Sequence, residues 1–329
     1  MTDIADRPTG SAWTSLDLGD ARDLRIVRGD ERNTIWAFGR TRRLFFVTGH
    51  ARSGTTWAAA VLARHPRVFV DGEFHFQQLR QGFDAFQRHP WHRATRDPVH
   101  TTAECCYQDT IRLCMGACSH QKMEADWIGD RTPRFLEVLL PGAPHVVVVR
   151  DGRDVVVSLS IMEINQGGGL FNQFAREEKL WRARERFLAE PDFFKKNPGE
   201  LLRCEPFVRC LARRWGEQAA HDLRQVERIR AGELDATAHI VFYEHLHTDP
   251  EGERERMYRF LGVDPAEAEP LTAESGTKPG LQTDNHRSDK RKGIVGDWMN
   301  YFTDDARRWF KEEAGEALIA LEYEGGPGW

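Results

Sequence analysis

The sequence predicts an α/β fold, a parallel sheet flanked by helices in a single domain, with a P-loop-like turn at the end of an early strand. Three observations predict it. Leu44–Val47, Val68–Val70, His145–Val149 and His239–Phe242 are short apolar runs rich in β-branched and aromatic residues, too continuous to alternate between core and solvent, so they read as strands covered on both faces. Segments of helical spacing separate them, which is the βα alternation of a parallel sheet. The chain of 329 residues can bury a large core, and it contains no internal repeat or clear linker, so one domain is expected.

In chain order, residues 1–41 alternate charges with turn formers and read as a loosely packed N-terminal extension, with the domain proper spanning 42–329. Leu44–Val47 ends in Thr48-Gly49, and helical spacing follows from Gly54 to Arg64. After the Val68–Val70 strand, residues 75–126 read as largely helical, interrupted near His89-Pro90 and Asp97-Pro98. The run His145–Val149 is the strongest strand signal, and a helix from about Asp154 to Met162 follows it. Gly167 to about Pro198 reads as a mobile insertion, because glycine, charge and aromatic residues mix there without one period. Helix resumes from about Pro206 to Arg230, then come the His239–Phe242 strand, a helix over Glu253–Leu261, a polar loop from Thr272 to Gly296, and a last helix over Asp304–Leu321.

Composition excludes several classes. The longest wholly apolar stretches fall far short of the roughly 20 residues of a spanning helix, and mean hydropathy is −0.59, so no membrane role is expected. The start, MTDIADRPTG, lacks a basic segment followed by an apolar run, which predicts a cytoplasmic protein. A net charge of −5 argues against a nucleic-acid partner, although the basic cluster Lys290-Arg291-Lys292 suits a small anion. The six cysteines have neither disulfide-framework nor paired Cys-x2-Cys spacing, and no metal site is expected.

Three segments carry anion-binding chemistry. The turn Gly49-His50-Ala51-Arg52-Ser53-Gly54-Thr55-Thr56-Trp57 joins a buried strand to a helix, so backbone N–H groups and a helix N-terminus face outward at a glycine. Its spacing is that of GxxxxGK[ST], but Thr55 stands where the lysine belongs. At Arg150-Asp151-Gly152-Arg153-Asp154-Val155-Val156-Val157-Ser158, Arg150 ends a strand and Ser158 lies about two helical turns on, able to hold a phosphate from two sides; a plain helix cap by Asp151 or Asp154 is the alternative. Arg291-Lys292-Gly293-Ile294-Val295-Gly296-Asp297-Trp298 offers consecutive cations and a glycine, although such runs are also common in solvated loops.

Taken together and in this order, the three segments resemble the cofactor motifs of the PAPS-dependent sulfotransferases, over residues 42–303. The resemblance implies that 3′-phosphoadenosine 5′-phosphosulfate (PAPS) is the cofactor and PAP the product, with no metal. It implies that Arg52, Ser53, Gly54, Thr55 and Thr56 hold the 5′-phosphosulfate, Arg150 and Ser158 the 3′-phosphate, and that Arg291, Lys292 and Gly293 close over it. Trp57 would stack on adenine and Tyr243 would contact it. Arg52 stands where cytosolic members carry a lysine; an arginine holds its charge but does not give up a proton.

The segment that in small-molecule members carries a histidine base corresponds here to Arg131-Thr132-Pro133, which has none. Instead, His65 through Phe76 resembles the heparan sulfate 3-O-sulfotransferase branch, in which a glutamate of a Glu-x-His segment is the base. On that resemblance Glu73 is the general base, with His75 orienting it or contacting acceptor, while Arg131 faces the transferred group; His50 or His286 is the alternative base. The expected partner is a small-molecule or glycan acceptor offering a hydroxyl or amine, lined by residues 76–126 and 163–200 with Phe83, Phe86, Trp91, Phe171, Phe174 and Trp181. A small-molecule kinase and a PAP-binding pseudoenzyme are the rival readings. Where cytosolic members pair through a KxxxTVxxxE segment, this chain has Met299, Asp304 and Arg308 in place of the lysine, valine and glutamate, so a monomer, or a dimer through another surface, is expected.

Overall fold

The structure, a computed structural model, describes residues 24–26, 32–90, 96–272, 275, 277 and 293–329. The chain opens with β1 (Leu24–Arg25), β2 (Thr34–Ala37) and β3 (Arg40–Gly49), and continues through α1 (Thr55–Leu62), β4 (Val68–Asp71), α2 (Phe76–Gln87), α3 (Arg96–Cys118), β5 (Trp127–Arg131), β6 (Ala143–Val149) and α4 (Gly152–Gln166). Then follow α5 (Gly169–Gln173), α6 (Glu178–Ala189), α7 (Phe193–Lys196), α8 (Glu205–Arg230), β7 (Ala236–Phe242), α9 (Tyr243–Thr248), α10 (Pro250–Leu261), α11 (Trp298–Tyr301) and α12 (Asp304–Ala320).

The central strands run parallel in the order β7-β6-β3-β5-β4. β3 is long enough to hold two partners along one edge. Its first half pairs antiparallel with β2, Thr34 opposite Arg43, and its second half pairs parallel with β6, Phe46 opposite His145. The connection from β3 leads through α1 to β4 on one side, whereas β6 leads to β7 on the other. The gap between β3 and β6 is therefore the switch point of the sheet, where the turns leaving two neighbouring strands diverge and a crevice opens at their carboxyl ends. The turns after Gly49 and Val149 flank that crevice.

Three apolar layers close the fold. Val155, Val157 and Ile161 of α4 pack with Phe207, Leu211 and Trp215 of α8 and Phe310 of α12. Ala58 and Leu62 of α1 meet Met257, Tyr258 and Leu261 of α10 over β3 and β6. Tyr107, Ile111 and Met115 of α3 cover Leu44, Phe46 and Ile128 on the opposite face.

The structure corrects two expectations and adds a strand. Packing begins before residue 42: Ile35 and Ala37 are fully buried, and Asn33 donates its side-chain amide to the Leu44 carbonyl at 3.0 Å. A charged neighbourhood hid this short hairpin strand; residues 1–23 and 27–31 lie outside the described residues. The stretch from Gly167 to Pro198 is helical and packed, since Phe171, Leu180, Phe187 and Phe194 insert into the α4–α8 core. β5 was not foreseen as a strand. Gly129 interrupts its pattern because a Cβ there would come within 2.5 Å of the Phe45 ring, so the glycine admits a large neighbour and does not break the strand.

Candidate active site at the sheet switch point

β3 delivers the turn His50–Gly54 to the carboxyl edge of the sheet. Arg52 has φ 74° and Gly54 φ 96°, so the chain turns through left-handed backbone before α1 begins. At Gly54 the glycine is required twice, because a Cβ would also lie 2.5 Å from the Tyr243 ring. No side chain caps α1, so its first N–H groups are left for a ligand.

Arg150 ties the surrounding segments together. Its Nη1 donates to the Arg52 carbonyl at 3.2 Å and its Nη2 to the Ile294 carbonyl at 3.0 Å. Its guanidinium lies 4.3 Å from the Tyr243 ring centroid, a cation–π contact. Arg52 Nε donates to Ser158 Oγ at 3.0 Å. Arg52, Ser53, Arg150, Ser158 and Tyr243 thus converge from four elements. Two of these groups are buried with no hydrogen-bond partner among the described residues: Ser53 Oγ and Arg150 Nε. Unmet buried donors are costly, and an anion between them would satisfy both.

Trp57 meets Tyr243 edge to face, with ring centroids 5.3 Å apart, and its Nε1 donates to the Thr277 carbonyl at 2.8 Å. Gly293, at φ 60°, lies against the same tyrosine, where a Cβ would be 3.3 Å from the hydroxyl oxygen. Arg291, Lys292 and His286 lie outside the described residues. Sequence reading missed what anchors this loop: the buried Asp154 carboxylate accepts the Gly296 and Trp298 N–H groups, each at 2.8 Å. Burial raises the Asp154 pKa against the opposing pull of Arg150. Nearby, Glu244 accepts the Asp151 N–H at 3.0 Å and the Tyr323 hydroxyl at 2.8 Å.

The second part of the site stands at the ends of β4 and β5. Arg131 Nη1 donates to Glu73 Oε1 at 2.6 Å and to Thr56 Oγ1 at 3.0 Å, so one guanidinium nitrogen joins the carboxylate to the start of α1. His75 Nε2 is 3.6 Å from Glu73 Oε2, while its Nδ1 is buried without a partner among the described residues. The two side chains do approach, but not through an extended strand: His75 has φ 54° and precedes α2. His50 lines a cavity of about 20 Å³ with Ser53, Arg150, Trp215 and Gln218, its Nδ1 2.7 Å from the Ala51 carbonyl oxygen. Burial lowers its pKa to about 4, which makes it a poor proton acceptor at neutral pH.

α2 and α3 border an open cleft of about 630 Å³ lined by Leu79, Phe83, Phe86, Val99, Ala103 and Cys106 among others. Phe83 and Phe86 are thus both exposed to this cleft. Phe171 is not, being 1% exposed in the core, and Trp91 lies outside the described residues. Among the described residues no cluster of three histidine, cysteine or acidic side chains could hold a metal ion, and no helix is long and apolar enough to cross a membrane.

The candidate site thus lies at the switch point of a parallel sheet. Residues 45–193, from β3 to the start of α7, match the model of the sulfotransferase family. Protein-tyrosine sulfotransferase A of Caenorhabditis elegans is 28% identical over 178 residues, covering 49% of this chain and 43% of that protein, so the match spans less than half of the relative. Similar solved structures include mouse sulfotransferase SULT7A1 complexed with PAP, at 18% identity, 84% coverage of each chain and a TM-score of 0.44. The sulfotransferase domain from the curacin biosynthetic pathway is 16% identical, with 87% of this chain and 99% of that one covered and a TM-score of 0.45.

Proposed function

We propose that this protein is an enzyme that transfers a sulfuryl group from PAPS to a hydroxyl or amine of a small-molecule or carbohydrate-like acceptor. The observation that carries the reading is the single nitrogen, Arg131 Nη1, that bonds both Glu73 and Thr56, because it couples a candidate base to the turn of the family-matched segment. The unpartnered Ser53 Oγ and Arg150 Nε fit an anionic ligand. PAPS would supply an activated sulfuryl group whose leaving group is already an anionic phosphate.

The N–H groups opening α1, with Ser53, Thr55 and Thr56, would bind the 5′-phosphosulfate, and Arg52 would add fixed positive charge that it does not surrender as a proton. Arg150 and Ser158 would hold the 3′-phosphate. Trp57 and Tyr243 would bound the adenine, and Gly293 with Arg291 and Lys292 would close the site. Arg131 occupies Glu73 Oε1, which leaves Oε2 to take the acceptor proton. His75, beside Oε2, would orient the acceptor. An acceptor with an apolar portion suits the cleft between α2 and α3.

Labelled PAPS offered with a panel of phenolic, alkyl and sugar acceptors tests the reading, with PAP binding followed by calorimetry in EDTA. PAP binding without metal is expected, together with transfer to at least one acceptor class. Glu73→Gln is expected to keep PAP affinity and lower turnover by roughly 10² to 10⁴. A wild-type rate in that variant would remove Glu73 as the base, and PAP binding without transfer to any acceptor would leave a nucleotide-binding pseudoenzyme.

A further inference from the structure

We infer that Asp130 and Arg131, which end β5, and Thr132, the next residue, clamp the Glu73–His75 turn, with Asp130 a positioning residue for the base. The inference rests on Glu73 being the base proposed above. Each clamp residue holds a different residue of the turn. Asp130 Oδ1 accepts the Phe74 N–H at 3.2 Å, Arg131 Nη1 donates to Glu73 at 2.6 Å, and Thr132 Oγ1 accepts the His75 N–H at 3.4 Å. The Thr132 hydroxyl in turn donates to Asp130, 2.9 Å from Oδ2 and 3.2 Å from Oδ1. Strand alternation makes this possible, since Asp130 and Thr132 point to one side and Arg131 to the other.

The turn needs holding. His75 takes a left-handed backbone conformation at φ 54°, which a residue with a Cβ adopts at a cost. The three residues that hold it are well placed for rigidity, because β5 lies between β3 and β4, with Asp130 opposite Phe46 on one side and Asp71 on the other. Asp130 is 2% exposed, and burial pushes its carboxyl up to about 6 against the opposing hydrogen bonds from Phe74 and Thr132. A buried carboxylate held by one N–H and one hydroxyl is an expensive way to fix a loop. Its retention beside the base is accounted for if the geometry of Glu73 depends on it.

The ionisable groups around Asp130 are Arg131 on its own strand, Glu73 and His75 on the clamped turn, Asp71 on β4 and Cys118 on α3, the last near both Asp71 and Asp130. Arg131 favours the charged form and Glu73 opposes it. Protonation of Asp130 as pH falls through about 6 removes the charge on which the Phe74 and Thr132 bonds converge.

The test is turnover as a function of pH for Asp130→Asn, Thr132→Val and Thr132→Ser, with calorimetric PAP affinity as the control. Asp130→Asn is expected to keep PAP affinity and acceptor KM while kcat falls by about 10- to 100-fold, the scale of a small misplacement of a reacting group. The step near pH 6 in the acid limb of wild type should vanish in this variant. Because the raised pKa means that the ionised carboxylate burdens the fold, melting of Asp130→Asn at pH 8 should occur no lower than in wild type. Thr132→Val should lower kcat in the same way and Thr132→Ser should restore it, which carries the test if Asp130→Asn does not fold. Wild-type kcat and pH profile in Asp130→Asn, beside a slow Glu73→Gln, would overturn the clamp alone. A wild-type rate in Glu73→Gln would overturn the base assignment and the clamp with it.

Discussion

At residue scale, Arg150 joins the turn after β3 to the loop before α11. The alternative reading, a surface arginine beside a helix cap, fails because its side chain is about 8% exposed and reaches the carbonyls of Arg52 and Ile294 in segments far apart in sequence. Asp151 does cap α4, accepting the Arg153 N–H at 2.8 Å, so the cap sits one residue from the proposed anion site. Arg150→Ala is expected to weaken PAP binding by about 1.5 to 3 kcal/mol, the range for a charge-assisted hydrogen bond. Calorimetry with circular dichroism as the folding control checks it, and unchanged affinity in a folded variant would remove Arg150 from the phosphate site. Arg131, Glu73 and Thr56 were each singled out from the sequence, but their common bond was not legible there, since it depends on the register of β5 against β3 and β4.

At the scale of elements, legibility followed chemistry. The runs Leu44–Val47 and His145–Val149 announced their strands because burial on both faces leaves no polar position to confuse the pattern. β5 was illegible because Gly129 and Asp130 both contradict strand propensity, one to admit Phe45 and the other to hold a turn. The α5–α7 region looked like an insertion because α5 and α7 are only one turn or so long and the stripe of α6, Leu180, Ala183 and Phe187, is spaced among many charged residues. Asp154 shows a comparable gap: an acidic residue in the first turn of α4 reads as a favourable dipole partner, yet its carboxylate accepts two N–H groups from the loop at Gly296–Trp298. Asp154→Asn keeps only one acceptor oxygen, so PAP release in stopped flow should be about tenfold faster, the equivalent of one charge-assisted bond. An unchanged release rate would mean that the loop closes without this anchor.

For the whole molecule, the arrangement of α11 and α12 bears on association. Met299 on α11 is 69% exposed, and Arg308 is already engaged with Asp305 on its own helix at 2.8 Å. Thr303 caps α12 by accepting the Ala306 N–H, and Asp304 and Asp305 fill the first turn, where the helix dipole favours negative charge. A two-fold contact centred on residues 299–308 would set Met299 against Arg308, gaining no ion pair, and would bring the acidic first turns of two helices together. The cost grows as salt is lowered, because exposed charges are then less screened. The protein is therefore expected to run as a monomer in light scattering at micromolar concentration, or as a dimer that survives Met299→Lys unchanged because it forms elsewhere. A dimer that dissociates on that single substitution would locate the interface on this segment and overturn the expectation.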